Sequence, residues 1–443
     1  MQNHAAISFL LVLPLSFIPA IRQQSPEVGP EVLVSENDGG ALRVEPSAAI
    51  HGQNVVVAWN DSYGGARTKR LPGVSVAWTM STDGGGSFQF GGYLPRGADE
   101  SLLPGADSWS MADGSGNFYL QILCWDGDPQ EILLYRMDES DPGQWHPLPS
   151  PIAVSKAERP GIDKRAMHVS DSGEVAIAFT VLSSPSAISL VRSTDRGEHW
   201  SAPIELSGSH PATRTGVSLT RHGDLVIAAW MEGAREVWWT ESFDSGVNFD
   251  PARRLHTLAR PVDPPEGYAL GVGPAAEIAN GPWLGADSSG GAYLTIAEGT
   301  EQGGTRILLF HRSAGAPEWT SPTVVGKSPD SASKVFPSLA VTDLGPAVLY
   351  YDRRGDPQGA NTDTYLSVTT ANGAWEDVRL SERSTNWLEA PGDPEHAMIQ
   401  RNLGDYITLA NDGNTLLAAW ADAREGPSRI YCRIVRLRGE LGR

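Results

Sequence analysis

Residues 167–200 read MHVSDSGEVAIAFTVLSSPSAISLVRSTDRGEHW and contain most of one unit of a repeated pattern. A short strand leads into a tight turn at Gly173, and a strongly apolar strand follows it. After a polar loop come a third strand at 187–192 and a turn that ends at Trp200, and residues 203–207 (PIELS) supply a fourth strand. The apolar residues alternate or run continuously and never recur at the helical spacing, so the unit predicts four short antiparallel strands.

This pattern occurs seven times, at intervals of about 60 residues. A glycine marks the turn between the first two strands of each unit: Gly52, Gly116, Gly173, Gly223, Gly290, Gly345 and Gly413. Repeats of this length that are built from strands alone are typical of β-propeller blades. The sequence therefore predicts an all-β, seven-bladed β-propeller, with a six-bladed ring as the alternative.

The first and last strands predict how the ring closes. The last unit has only three strands, the third of them at 429–437. Residues 30–36 (PEVLVSE) precede the first unit and resemble the fourth strands of other units, at 203–207, 322–326 and 377–381. Because an open ring would leave two unpaired sheet edges, we expect this N-terminal strand to complete the last blade. Residues 30–437 then form a single domain.

Three turns between a third and a fourth strand share the formula Ser-x-Asp-x-Gly-x-x-aromatic. They are centred on Asp83, Asp195 and Asp244. An Asp side chain in such a turn can accept hydrogen bonds from backbone N–H groups two or three residues further on, the glycine takes a positive φ, and the aromatic ring packs between sheets. We therefore expect these three aspartates to be structural.

These turns resemble the Asp boxes, or BNR repeats, of the sialidase-like superfamily, and the chain is similar to its exported bacterial seven-repeat members. The resemblance implies a propeller, although six blades are usual among sialidases. It places the boxes on the face opposite the substrate site. It also implies an exo-α-sialidase-type glycoside hydrolase that acts on a terminal acidic sugar of an extracellular glycan.

The loops at the other end of the blades carry acid and arginine pairs. The resemblance implies a tyrosine nucleophile, a glutamate that activates it and an aspartate as acid/base, and the candidates are Tyr406, Glu232 and Asp61. Only five of the 34 basic residues are lysines, and arginine can grip a carboxylate with two hydrogen bonds. The candidate substrate-binding residues are Arg67, Arg235, Arg353, Arg354, Arg424 and Trp387, although acid–arginine pairs that lock blades together and a channel-capping Trp387 are open alternatives.

Two other functions stay open, because the chain reads Leu42-Arg43-Val44-Glu45-Pro46 where true sialidases have Arg-Ile-Pro. One is a non-catalytic propeller that binds a glycan or a protein. The other is a polysaccharide lyase that uses a tyrosine or a histidine as base, the candidates being His168, His210, His256 and His396. We expect no cofactor, although Asp356, Asn361 and Asp363 could bind Ca²⁺ or simply form an Asx-rich turn.

Composition limits the partners and the compartment. The chain has 443 residues and a formal net charge of −19, which repels nucleic acid and anionic membrane surfaces. Residues 5–20 are almost purely apolar and predict a signal peptide with cleavage after Ala20, and we assign residues 1–24 to this leader. We therefore expect a secreted or periplasmic protein that is monomeric and is not inserted in a membrane after cleavage. Cys124 and Cys432 are expected to be isolated buried thiols.

Overall fold

The structure is a computed structural model, and it describes residues 21–23, 25–35, 43–61, 75–95, 105–124, 130–154, 161–208, 211–262, 281–357, 360–370, 372–387 and 404–441. Within these residues the chain forms seven antiparallel sheets of four or five strands, a separate pair of short strands, and no helix. The seven sheets are the blades of a β-propeller. The predicted seven-bladed fold is therefore confirmed, and the six-bladed alternative is wrong.

Each blade begins with an inner strand beside the ring axis and ends with an outer strand. Three short strands precede the first blade: β1 (Ile21–Gln23), β2 (Glu27–Val28) and β3 (Val32–Leu33). Blade 1 consists of β4 (Arg43–His51), β5 (Asn54–Asp61), β6 (Ser75–Ser81) and β7 (Gln89–Tyr93). Blade 2 consists of β8 (Ala106–Ala112), β9 (Phe118–Cys124), β10 (Gln130–Met137), β11 (His146–Pro147) and β12 (Ile152–Val154). Blade 3 consists of β13 (Ile162–Val169), β14 (Val175–Val181), β15 (Ala187–Ser193) and β16 (Ile204–Glu205).

Blades 4, 5, 6 and 7 begin at β17, β21, β25 and β30. Blade 4 consists of β17 (Arg214–His222), β18 (Leu225–Glu232), β19 (Glu236–Ser242) and β20 (Arg253–Thr257), and blade 5 of β21 (Trp283–Ala286), β22 (Ala292–Gly299), β23 (Thr305–Arg312) and β24 (Thr323–Val324). Blade 6 consists of β25 (Lys334–Thr342), β26 (Gly345–Asp352), β27 (Asn361–Thr369), β28 (Trp375–Arg379) and β29 (Thr385–Asn386). Blade 7 contains β30 (Thr408–Asp412), β31 (Thr415–Asp422) and β32 (Arg429–Arg436), and a last short strand, β33 (Gly439–Leu441), follows it.

The ring closes as the sequence predicts. β2 and β3 pair antiparallel with β32, so the N-terminal strand completes blade 7. β1 also pairs with β33, so the ordered strands extend beyond the expected 30–437 at both ends. Of the predicted leader, residues 1–24, residues 1–20 and 24 lie outside the part of the chain that the structure describes, and residues 21–23 form β1.

The hydrophobic core lies between blades, because each sheet packs its two faces against its neighbours. Between blades 1 and 2, for example, Val56 and Trp78 pack with Leu120 and Tyr135. The second strand of most blades is buried along nearly its whole length, as the apolar sequence of β5 and β14 predicts. Both cysteines are buried thiols, as expected, and the described residues include no helix that could cross a membrane.

Three buried serines connect inner strands of neighbouring blades. Ser218 Oγ accepts a hydrogen bond from the backbone N–H of Leu284 in blade 5, at 2.9 Å. Ser338 Oγ accepts one from Leu409 in blade 7, also at 2.9 Å. Ser47, in blade 1, bonds to a serine hydroxyl of blade 2 at 2.8 Å. We call these three residues the bridging serines.

The turn around Asp244 shows how the repeated formula works. Asp244 Oδ1 accepts from the Ser242 hydroxyl at 2.8 Å and from the Asn248 backbone N–H at 2.8 Å, and the Asn248 amide donates to Oδ2 at 2.7 Å. Asp83 and Asp195 occupy equivalent places. The backbone donors lie three and four residues after the aspartate, one position later than predicted.

The hydrogen bonds in these turns stabilise the ionised form of the aspartates. The backbone N–H of His199 is the main cause that lowers the pKa of Asp195 to about 2, and that of Asn248 has the same effect on the pKa of Asp244. The glycines of the formula have positive φ, as expected, at Gly85, Gly197 and Gly246. All three turns lie at the end of the ring where the first and second strands are also joined, as the contact between Gly84 and Gln53 shows.

Candidate functional site

We call the opposite end of the ring the mouth; there the inner strands begin and the second strands end. The inner strands of blades 1, 2, 4 and 6 share a β-bulge at this end, where the register shifts. One residue of each bulge has a positive φ of 57–65°: Glu45, Asp107, Gly216 and Phe336. Bulges redirect side chains and are frequent beside functional sites. The geometry of these four inner strands is therefore locally altered at the mouth.

A buried ion pair stands next to the bulge in blade 4. Arg214 Nε donates to Glu232 Oε1 at 2.8 Å, and Arg214 Nη1 donates to the carbonyl of Ser186 in blade 3 at 2.6 Å. The indole of Trp230 also donates to Glu232, at 3.3 Å. Glu232 thus binds Arg214, the first residue of the inner strand, and Arg214 in turn binds the preceding blade.

Blade 1 repeats this arrangement. Arg43 Nε donates to Asp61 Oδ2 at 3.0 Å, Trp59 donates to the same oxygen at 3.3 Å, and the Arg43 backbone N–H donates to the carbonyl of Ser428 in blade 7 at 3.2 Å. We call the set of starting cation, acid and preceding-blade serine or threonine the clasp.

Blade 6 has a lysine version of the clasp. Lys334 lies opposite Asp352 in the strand register, and its amine donates to the carbonyl of Thr305 in blade 5 at 2.7 Å. Burial lowers the pKa of this amine. Two of the predicted catalytic residues, Asp61 and Glu232, are members of clasps, and their contacts account for both carboxylates as parts of the blade interfaces.

Arg354 and Arg424 have equivalent surroundings in blades 6 and 7. Arg354 pairs with Asp352 at 2.7 Å and Asp377 at 2.6 Å, and its guanidinium lies 4.0 Å from the ring centroid of Tyr365. Burial opposes its charge, but the contacts with Asp352 outweigh it and raise the pKa of the guanidinium. All three of these partners belong to blade 6, so the contacts tie together strands of one blade and do not match the predicted alternative of a lock between blades.

Arg424 repeats these contacts with other partners. It pairs with Asp422 and with Glu31, the latter at 2.6 Å, and stands 4.5 Å from the ring centroid of Tyr431. Its side chain is 3% exposed. Because Glu31 precedes β3, Arg424 also ties the closing strand to blade 7.

Two other predicted binding arginines have contacts with backbone carbonyls. Arg235 donates to the carbonyls of Leu258 and Ala259, at 2.7 and 3.1 Å from Nη2. The Arg353 backbone N–H donates to the carbonyl of Ser333, and Arg67 lies outside the described residues. Trp387, the predicted sugar-stacking residue, is 1% exposed and packs in the core against Tyr351.

Tyr406 does lie at the axis of the mouth. Its hydroxyl donates to the carbonyl of Ser108 in blade 2 at 3.0 Å. With Asp107 and Asp405 it lines a cavity of about 60 Å³ that also includes the bulges of blades 2 and 4. Asp405 is joined to blade 1 through its backbone N–H, which donates to Glu45 at 3.0 Å. One phenol and two carboxylates thus share one small cavity.

Two tryptophans form the floor of this mouth cavity. Trp109 of blade 2 and Trp283 of blade 5 stack with their ring centroids 4.9 Å apart and an interplanar angle of 18°. Both residues also line a larger cavity below, of about 260 Å³, which is bounded by the inner strands of all seven blades. We call this larger cavity the channel.

The described histidines lie away from Tyr406. His168 lies on the inner strand of blade 3 beside the channel, where burial and then Arg221 lower its pKa to about 4. His256 is 3.3 Å from Glu298 at the rim between blades 4 and 5. Burial opposes ionisation of Glu298, but His256, the Ala259 N–H and Arg306 outweigh it and lower the pKa of this carboxyl to about 2. His210 and His396 lie outside the described residues.

The possible Ca²⁺ loop has the contacts of an Asx turn. Asp356 Oδ2 accepts from the backbone N–H of Asn361 at 3.1 Å and from its side-chain amide at 2.9 Å. Asp363 pairs instead with Arg379, at 2.7 Å. In the described part of the chain, no group of three or more His, Cys, Asp or Glu side chains has the arrangement of a metal site.

Sequence reasoning missed Asp107, Asp405, Trp109 and Trp283. A signal for the tryptophans does exist, because Trp109 and Trp283 each lie seven residues before the turn glycine of their unit, Gly116 and Gly290. The two aspartates have no such signal. Asp107 reaches the axis through a bulge, and Asp405 follows a long connection.

No protein family and no curated protein matches the chain. Among solved structures, a protein of unknown function from Dyadobacter fermentans matches with a TM-score of 0.53 and 12% identity, over 95% of this chain and 100% of that chain. A polysaccharide lyase named as an ulvan lyase matches with a TM-score of 0.54 and 10% identity, over 94% of each chain. An endosialidase of phage phi92 has a TM-score of 0.47 and 9% identity, over 92% of this chain and 69% of that chain. The first two likenesses show a shared fold.

Proposed function

We propose that this propeller acts on a glycan and that the sugar binds in the mouth cavity. The observation that carries the proposal is the meeting of Tyr406, Asp107 and Asp405 above the stacked Trp109 and Trp283. Cavities that combine aromatic walls with a few polar groups are the usual form of small-molecule sites. Carboxylates can accept hydrogen bonds from sugar hydroxyls, and indole rings can contact the apolar C–H face of a sugar.

Glycoside hydrolysis is the reaction that these groups suit best. Most glycosidases use two carboxyl groups, and sialidases use a tyrosine nucleophile instead of one of them. We assign Tyr406 as the nucleophile or proton carrier and Asp107 and Asp405 as the acid/base candidates. The proposed chemistry uses side chains alone and needs no cofactor.

The finer proposal, an exo-α-sialidase, needs arginines that bind the carboxylate of the sugar. Arg354 and Arg424 are engaged with two acids each in their own blades. A sialidase site in this mouth would therefore depend on other arginines, of which Arg67 is the predicted candidate. The apolar segment at 5–20 supports export of the protein. Export is part of the proposal because it would bring the protein to an extracellular glycan.

A polysaccharide lyase is the second candidate. The fold shared with an ulvan lyase over 94% of both chains favours it. In this version Tyr406 would act as the base that removes a proton next to the carboxyl group of a uronic acid. Elimination would leave an unsaturated uronide that absorbs ultraviolet light, whereas hydrolysis would not.

The test uses the purified full chain on aryl sialosides, aryl uronides, neutral aryl glycosides and ulvan, together with a glycan array. Released aryl group indicates a hydrolase, ultraviolet absorbance of the product indicates a lyase, and array binding without turnover indicates a binding propeller. Tyr406→Phe should lower kcat/KM by about 100-fold or more. The matched control is Tyr119→Phe, which removes another phenol hydroxyl, bonded to Asp113 at the opposite end of the ring. If wild-type protein neither binds nor converts any of these glycans, or if Tyr406→Phe equals wild type, the proposal is overturned.

A further inference from the structure

Seven equivalent positions on the inner strands share one place in the register. In six blades this position lies opposite the residue three positions before the end of the long second strand, and in blade 5 opposite the residue four positions before it. The seven residues are Ser47, Trp109, Ala166, Ser218, Trp283, Ser338 and Thr408. Five of these residues are small. Only blades 2 and 5 have tryptophan there, and these are the two tryptophans that stack across the ring.

The stack separates two spaces. Trp109 and Trp283 line both the mouth cavity of about 60 Å³ and the channel of about 260 Å³. Each indole therefore has open space on more than one side, which is unusual for large aromatic side chains in a close-packed interior. Rotation of one indole into the channel would join the two cavities.

The residues opposite the tryptophans provide an independent observation. Gln121 faces Trp109 in the register, and Thr295 faces Trp283. Both are 0% exposed, and neither the Gln121 amide nor the Thr295 hydroxyl has a hydrogen-bond partner among the described residues. The corresponding residues of the other five blades are apolar: Ala58, Ala178, Ala229, Leu349 and Ala419.

Directly opposite residues of an antiparallel pair project from the same face of the sheet. Gln121 therefore lies beside Trp109, and Thr295 beside Trp283, with each indole between the polar group and the axis. A buried polar group without a partner is costly, and the cost disappears when the group gains a hydrogen bond. The closed stack thus covers two groups that would be stabilised by its opening.

We propose that Trp109 and Trp283 form a gate between the mouth cavity and the channel, and that opening the gate exposes Gln121 and Thr295 as a polar subsite for saccharide hydroxyl groups. This inference rests on the proposed function for the identity of the ligand. A hydroxyl can both donate to the Gln121 carbonyl oxygen and accept from the Gln121 amide or the Thr295 hydroxyl. Gln121 and Thr295 are positioning and specificity-determining residues in this scheme, because the proposed reacting groups lie on the other side of the stack.

The test follows the two indoles by fluorine NMR of the full chain containing 5-fluorotryptophan. Trp109→Phe and Trp283→Phe assign the two resonances. Saturating glycan, taken from whichever compound the wild-type protein binds, should shift both resonances, and glycerol at high concentration is a second probe because it can enter without recognition in the mouth. The resonance of Trp319, which forms an edge contact with Trp239 between blades, is an internal control that should stay in place.

The double variant Gln121→Leu/Thr295→Val keeps the size of both side chains and removes their hydrogen-bonding groups. We expect it to leave the two resonances at their closed positions with glycerol, to weaken glycan binding by about tenfold, and to raise the Tm. A purely structural role would change the Tm alone. Resonances of Trp109 and Trp283 that stay in place in the wild type, or that glycerol shifts equally in the double variant, would overturn the gate.

The two proposals fail in different ways. Movement of the resonances with glycerol while no glycan binds or reacts would overturn the proposed function and support the gate. Glycan turnover without any movement of the resonances would support the function and overturn the gate. Trp283→Ser places in blade 5 the serine that blade 4 has at this position. Because it removes one half of the stack, it should leave the Trp109 resonance unchanged by glycerol.

Discussion

Arg214 and Glu232 form an ion pair of 2.8 Å, from Nε to Oε1, in which the two side chains are 1% and 2% exposed. The pair joins the start of an inner strand to the end of its neighbour and lies against blade 3. Its burial makes the pair sensitive to the loss of one partner, because the remaining charge would stay in a region of low dielectric constant.

We expect Glu232→Gln to lower the free energy of unfolding by about 3–5 kcal/mol, since Arg214 would then be a buried charge without its counter-ion. The double variant Arg214→Met/Glu232→Leu should lose much less. Urea denaturation at neutral pH measures both. The matched control is Glu236→Gln, which breaks the more exposed pair with Arg254 and should cost about 1 kcal/mol or less. Equal losses for Glu232→Gln and Glu236→Gln would show that the clasp does not hold the blades.

Acid should weaken the turns around Asp195 and Asp244. The pKa of each is lowered from 3.8 to about 2, so the stabilisation that comes from their ionisation is fully present above about pH 4. It is lost as the pH falls towards about 2, because the folded state binds these protons less readily than the unfolded state. Tm measured from pH 5 to pH 2 should fall less steeply for Asp195→Asn/Asp244→Asn than for the wild type.

Asp141→Asn is the control for this pH series, because Asp141 lies in the corresponding turn of blade 2 and is exposed. It should leave the slope of Tm against pH close to that of the wild type. If the slope is the same for all three proteins, the ionised side chains of Asp195 and Asp244 do not stabilise the fold as we expect.

Arg354→Lys separates a structural role within blade 6 from a substrate-binding role. A lysine cannot contact Asp352, Asp377 and the Tyr365 ring together, so we expect a loss of about 1–3 kcal/mol in unfolding free energy. Activity on any glycan that the protein converts should keep its KM within about threefold, since this guanidinium is engaged inside its own blade. A large rise in KM with unchanged stability would restore Arg354 as a carboxylate-binding residue.

Ser218→Ala tests the bridging serines. The substitution leaves the buried backbone N–H of Leu284 without its acceptor, which should cost about 1–3 kcal/mol. Hydrogen exchange of the Leu284 amide should accelerate along with the loss in urea denaturation. Ser172→Ala, at an exposed turn position, is the control. No change at Leu284 would mean that the contact between blades 4 and 5 depends on apolar packing alone.

Much of the fold could be predicted from the sequence because its determinants are local. Turn glycines such as Gly173 and Gly413, and apolar strands such as β14, repeat within each unit and need no long-range information. The closing strand was also predictable, because the last unit visibly lacks a partner that residues 30–36 can supply. The inter-strand hydrogen bonds of β3 with β32 follow from that logic.

The site was less predictable because it depends on register and on bulges. Asp61 looks like a catalytic acid in the sequence, and only its alignment with Arg43 across two strands shows that the carboxylate has a buried counter-ion. Asp107 has no distinguishing neighbours in the chain and reaches the axis through a positive φ. Tyr406 lines the mouth cavity, whereas its predicted partners Asp61 and Glu232 belong to the clasps of blades 1 and 4.

Val32 pairs with Cys432, so blade 7 joins segments that are 400 residues apart. Each of the other six blades can form from contiguous sequence as the chain emerges. Blade 7 is complete only when β32 has been synthesised and has paired with β2 and β3. Until then, the edge of β32 is open to pairing with other chains. The same late event brings Ser428 to Arg43 and thereby completes the clasp of blade 1. One slow step thus sets both how long the nascent protein is prone to aggregate and when its mouth acquires a shape that can recognise anything.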